Sequence, residues 1–175
     1  ILHEVDTAAE RLAADDVWEA RRLLRRVVEI WRVLVAQVSI LETMRPQDFL
    51  GFRDHLNPAS GFQSVQFREL EFALGMKDAR VLEALRSEPE EIGRLRRRLA
   101  APSLGDAVDE LLVRRGFERR PEPGASADGA SRSEVWRLQA LTRIYERPDG
   151  HPDLLALCEV LLDIDESIAL WRARH

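Results

Sequence analysis

Apolar residues return at three- and four-residue steps along nearly the whole chain, and no run of alternating apolar and polar residues is bounded by turn signals as a strand would require. A chain patterned this way has no sheet to build. Its helices must bury one face against each other, so the sequence predicts an all-α fold, a helical bundle with no β-sheet. At 175 residues there is room for one real core, and we expect a single domain over 1–175.

The punctuation of the pattern sets the element limits. Ile1, Leu2, Val5, Ala8, Ala9 and Leu12 share one face of a first helix ending near Ala14-Asp15-Asp16. Asp16, with Glu19 three residues on, reads as a capping box opening a long helix to about Thr43, whose apolar face runs through Val17, Leu24, Val28, Trp31, Val35 and Val38. Pro46 suits the first turn of a short helix to about Leu56, closed by Asn57-Pro58 because the residue before proline avoids helical angles. Ser60 with Gln63 reads as the box that opens a helix to about Leu74, with Gly75 at its C′ position. Further helices are expected at 79–87, 89–100 and 104–115, with Asp78 and Ser103 as caps and Gly116 as a stop. A Pro- and Gly-rich stretch, about 117–131, reads as a loop within the domain. Ser131 and Glu134 open a helix to about Arg147, and a last one runs from about Pro152 to the end.

Composition narrows the function classes. A net charge of −5 argues against an electrostatic nucleic-acid binder, although every basic residue except Lys77 is Arg. Arg21, Arg22, Arg25 and Arg26 lie among Glu19 and Glu29 and read as a solvated, ion-paired helix flank. No apolar run approaches the ~20 residues of a membrane span, and no signal-peptide pattern opens the chain. One cysteine, Cys158, allows no intramolecular disulfide or multi-thiolate metal site, and it suits a reducing cytoplasm, where we expect the protein to reside. Beside an apolar stripe, it reads as a small buried residue. His151, between Pro148 and Pro152, reads as a surface turn residue. Phosphate-binding and dinucleotide-binding glycine loops and the Gly-x-Ser-x-Gly elbow are absent, and His3-Glu4 has no second histidine at the zincin spacing. The chain begins at Ile1, already within a helical pattern, and we read it as trimmed.

Two features remain as candidates. Phe49 and Arg53, four residues apart on the predicted short helix, would present a stacking ring and a carboxylate-binding fork side by side, which suits an aromatic amino acid. Taken alone, packing and surface charge are the simpler explanation of the pair. In the last helix Leu157, Leu161, Ile164, Ile168 and Trp171 form one stripe that His175 continues, so its imidazole could serve as an axial metal ligand or as a plain structural histidine.

The blocks Ser39-Ile40-Leu41-Glu42-Thr43-Met44, Asp48-Phe49-Leu50-Gly51-Phe52-Arg53 and Asn57-Pro58-Ala59-Ser60-Gly61-Phe62-Gln63-Ser64-Val65-Gln66-Phe67-Arg68 closely resemble the tryptophan 2,3-dioxygenase family. The opening Ile1-Leu2-His3-Glu4-Val5-Asp6 is similar to the stretch after the family's distal-pocket helix. The closing stretch from Leu162-Asp163-Ile164-Asp165 to Trp171-Arg172-Ala173-Arg174-His175 is similar to the one reaching its proximal ligand. About 76–150 matches only in helical character and length.

The resemblance implies a haem-dependent dioxygenase using haem b and O2 to open the indole C2–C3 bond of L-tryptophan, giving N-formylkynurenine, in a homotetramer. It implies His175 as proximal iron ligand, Trp171 as its support, Phe49 and Leu56 against the indole, Arg53 on the carboxylate, and Ser60 and Gly61 close to the haem. It implies no general acid or base from this chain. His55 stands where the family commonly has tyrosine and Ala173 where an aromatic is usual. These departures leave open a relative that acts on a modified tryptophan or inserts one oxygen atom; a helical module that has lost haem is the third alternative. The distal-histidine helix and the glycine-rich substrate loop of the family would lie beyond the two ends.

Overall fold

A computed structural model of the chain describes residues 1–56, 64–85, 87–117 and 129–174, with the side chains of Leu56 and 129–134 excepted. Among the described residues there are helices and turns and no strand. The helices are α1 (Leu2–Ala13), α2 (Val17–Leu41), α3 (Pro46–Leu50), α4 (Val65–Leu74), α5 (Val81–Ala84), α6 (Pro89–Ala100), α7 (Leu104–Arg114), α8 (Gly129–Glu146) and α9 (Pro152–Arg174), with 3-10 turns at Arg53–Leu56 and Pro148–Gly150.

The two longest helices, α2 and α9, form the spine. They lie side by side and run the same way: Arg21 donates to the Ala156 carbonyl near their starts, Trp31 meets Trp171 further along, and Arg174 donates to Ser39 Oγ near their ends. Two parallel neighbours need a long connection, and the intervening helices supply it. The core between them and α1, α7 and α8 is built from Leu12, Leu24, Val27, Trp31, Leu111, Ile144, Leu157 and Ile164, all buried. A smaller cluster, Val65, Phe72, Leu85 and Leu95, seals α4 against α5 and α6. Arg98 forks onto Asp6 at 2.7 and 2.6 Å and ties α6 to α1.

Several expected boundaries hold for the expected reasons. Gly75 closes α4 at φ +114 and Gly116 follows α7 at φ +87, both left-handed positions. Ser103 and Asp106 form a reciprocal capping box on α7. At α2 only half of the box forms. Asp16 accepts from the Glu19 amide at 3.2 Å, while the Glu19 carboxylate turns to Arg22.

Other boundaries differ. α4 begins at Val65 with Ser64 as its cap, accepting from the Phe67 amide at 3.3 Å, and the expected Ser60 and Gln63 box lies outside the described residues. The helix expected at 79–87 is one turn, α5, and Asp78 bonds the Arg80 amide and guanidinium in place of capping. The start of α8 is Gly129, two residues before Ser131.

The most consequential change concerns the expected helix from Pro46 to Leu56. It breaks after Leu50 at Gly51, and the chain tightens to three-residue hydrogen bonds, Phe52 N–H to Phe49 O at 3.2 Å and His55 N–H to Phe52 O at 2.9 Å. Glycine holds the helix poorly, and the short segment before Pro58 cannot repay a regular helix.

Candidate functional site

That break changes the phase of the predicted pair. With three residues per turn, position 52 lies over position 49, and Phe49 meets Phe52 edge-on, ring centroids 5.4 Å apart, where an α-helix would have set Arg53 beside it. Phe49 and Arg53 therefore sit on consecutive elements and do not share one α-helical face. Phe49 is 41% exposed and Arg53 is exposed. The acid closest in sequence on α3, Asp48, is held by Arg45 at 2.9 and 3.0 Å, and the Arg53 guanidinium makes no ion pair among the described residues. An exposed guanidinium with no acid partner among the described residues, in the same short segment as two crossed aromatic rings, is chemically suited to a carboxylate attached to a flat apolar group.

The second predicted element is the last turn of α9, and it is pinned on three sides. Trp171, half-buried, packs edge-on against the fully buried Trp31 of α2 at 5.8 Å, and Trp31 packs edge-on against Phe67 of α4 at 6.3 Å. Arg172 donates to Glu71 Oε1 at 2.5 Å and lies 3.4 Å from Met76 Sδ. Arg174 donates to Ser39 Oγ at 2.7 Å. The other Glu71 oxygen accepts from Arg68 at 2.6 Å, so a carboxylate 4% exposed is shared by two guanidinium groups. Nothing about Glu71 is singled out by motif or spacing. The available signal was a charged residue between Leu70 and Phe72-Ala73, all buried on α4.

The predicted residues His175, Ser60 and Gly61 lie outside the described residues, as does the side chain of Leu56. Around the described part, the second half of α2 and the following segment leave large apolar side chains uncovered, among them Ile40 at 69% exposure, Leu41, Leu50, Phe49 and Phe52. The indole N–H of Trp31 is buried with no hydrogen-bond partner among the described residues.

A groove of about 370 Å³ between α7, α8 and α9, walled by Val108, Leu112, Leu141, Tyr145, Cys158 and Leu162, contains none of the predicted site residues. Burial, and then the charge of Glu159, push the Cys158 thiol up to about 11, so it is a packed apolar group and no nucleophile. His151 is partly buried, its ring tilted against Phe117 with centroids 5.2 Å apart, where a surface position was expected.

Taken together, these features define an all-α scaffold in which a parallel helix pair carries a braced helix end and an exposed aromatic and arginine segment. The family model described as tryptophan 2,3-dioxygenase matches residues 1–122. A tryptophan 2,3-dioxygenase of Nocardioides is 46% identical over 180 residues, covering 100% of this chain and 63% of the relative. Those of Xanthomonas euvesicatoria and Xanthomonas oryzae are 38% and 39% identical over 181 and 177 residues, covering 100% of this chain and 59% of each relative. The chain belongs to the tryptophan 2,3-dioxygenase family, and it spans about three fifths of the length of these curated relatives.

Proposed function

We propose that the chain is the part of a haem-dependent dioxygenase that carries the proximal iron ligand and the carboxylate anchor, acting on the indole ring of L-tryptophan to give N-formylkynurenine. The observation that carries this reading is the exposed Arg53 guanidinium, without an ion pair among the described residues, in the same short segment as the Phe49–Phe52 pair and within the stretch matched to the family.

The residues fit a haem by their chemistry. A macrocycle brings its own four equatorial nitrogens, so one imidazole suffices as a protein ligand, and an uncovered apolar face such as that of Ile40, Leu41 and Leu50 suits its flat surfaces. Haem b would be held by His175, with Trp171 as its support and Ser60 and Gly61 close to the haem. When bound it supplies the redox-active iron at which O2 is used. The protein's own part is positional: Arg53 takes the substrate carboxylate in its fork, Phe49 and Leu56 hold the indole, and binding energy is converted into orientation.

The departures at His55 and Ala173 favour a second reading, in which the substrate is a modified tryptophan or one oxygen atom is inserted. We further propose one domain over 1–175, a homotetramer, and a cytoplasmic location. Among the described residues no helix is long and apolar enough to cross a membrane.

The test uses the full-length protein. Reduced and CO-bound visible spectra are expected to be those of a histidine-ligated haem, and the product of tryptophan to gain about 32 mass units, against about 16 for single insertion. Protein that binds no haem would overturn the reading in favour of a non-catalytic helical module.

A further inference from the structure

We propose that Glu71 is a positioning residue for the proximal histidine: through Arg172 it sets the rotation of the last turn of α9, the turn that His175 follows in the sequence. The inference rests on the reading of His175 as the iron ligand.

Glu71 is buried on α4, where an ionised carboxylate is costly unless both oxygens are paired. One oxygen is taken by Arg68, three residues away on the same helix, with both side chains nearly buried. Such a local pair would accompany α4 in any fold. The second oxygen is taken by Arg172, 101 residues further along the chain, whose side chain is half-exposed and would be well solvated without it. The long-range contact therefore does something the local one does not: it draws an otherwise free guanidinium of α9 down onto α4.

The consequence follows from helical geometry. At 3.6 residues per turn, Trp171 and Arg172 point about 100° apart around the axis of α9. Holding Trp171 against Trp31 and Arg172 against Glu71 thus fixes the rotation of that turn from two sides, one apolar and one ionic. Arg174, bonded to Ser39, fixes the depth of the same turn against α2. Groups that orient a ligand without touching the metal alter its affinity about 10–100-fold when removed.

The experiment compares full-length haem-loaded wild type with Glu71→Gln, Arg172→Ala and His175→Ala. Arg172→Ala changes a half-exposed side chain and is expected to fold. Readouts are the rate of haem loss to a scavenger, the iron–histidine stretching band of the ferrous protein, and hydrogen exchange of residues 168–174. The expected result is haem loss faster by about 10-fold or more in Glu71→Gln and Arg172→Ala, a shifted or broadened iron–histidine band, and faster exchange confined to the end of α9. Arg172→Lys should recover part of each change. If His175→Ala removes the histidine band while Glu71→Gln and Arg172→Ala leave all three readouts at wild-type values, the inference is overturned and the ligand reading stands. If His175→Ala keeps the histidine band, the ligand reading fails and takes the inference with it.

Discussion

Arg53 and Cys158 show how the same local pattern yields opposite chemistry once surroundings are known. Arg53 is polar and uncommitted, and in a closed site a carboxylate would be its sole counter-charge. Truncation to alanine is expected to cost about 2–5 kcal/mol of transition-state binding, read as kcat/KM for tryptophan, because the substrate's charge is then left unpaired. Lysine should restore only part, lacking the planar fork. Tryptamine, without the carboxylate, should be a poor substrate of wild type and indifferent to the substitution. Unchanged kinetics in Arg53→Ala would make Arg53 a surface residue. Cys158 is the reverse case, a reactive group made inert by burial. Its pKa is raised from 9.0 to about 11, so the folded state holds the proton more tightly than the unfolded chain. The stability this contributes is complete below pH 9 and is lost as pH rises through 11. Tyr145, donating to Glu159 at 2.7 Å and raised to about 12 by burial first, acts in the same direction at still higher pH. The urea midpoint of wild type should therefore fall between pH 9 and 11, and fall less in Cys158→Ser.

At the scale of elements, the junction of α4 and α7 carries a test of end chemistry. Gly75 holds φ +114, and a Cβ there would stand 3.3 Å from Ser103 Oγ, the hydroxyl that caps α7. Gly75→Ala should cost about 1–2 kcal/mol through the left-handed backbone, and Ser103→Ala about 1 kcal/mol through the lost cap. Because the new methyl meets that same hydroxyl, the double variant should cost less than the sum, and additive urea midpoints would show that the contact is relaxed at no cost. The α3 segment makes a related point. Pro46 and Asn57-Pro58 marked its two ends, yet the switch to three-residue turns after Gly51, which the sequence reading did not expect, depends on how the few intervening hydrogen bonds are shared, and that switch decides that Phe49 meets Phe52.

On the scale of the whole molecule, exposed apolar surface bears on assembly. Uncovered apolar side chains gather on the second half of α2 with α3, and again along α8 at Val135, Leu138 and Tyr145. Both faces are suited to burial by further protein. Light scattering of the full-length enzyme at micromolar concentration is expected to give four times the protomer mass; a monomer would contradict the proposed tetramer.

Much of the fold was legible because helix periodicity and end signals are local. Positions of Asp16, Ser103, Gly75 and Gly116 needed only their neighbours in sequence, and the apolar stripe from Leu157 to Trp171 already implied which side of α9 turns inward. The candidate site was legible in part for the same reason, as Phe49, Arg53 and Trp171 stand in recognisable blocks. What tertiary structure alone decided is everything that joins distant positions. Glu71 meets Arg172 across 101 residues, Ser39 meets Arg174 across 135, and α2 runs parallel to α9. No periodicity encodes such pairings. They follow from which apolar faces fill the core together, and only once those faces have packed do the long arginine side chains find the carboxylate and hydroxyl that hold the end of α9 in place.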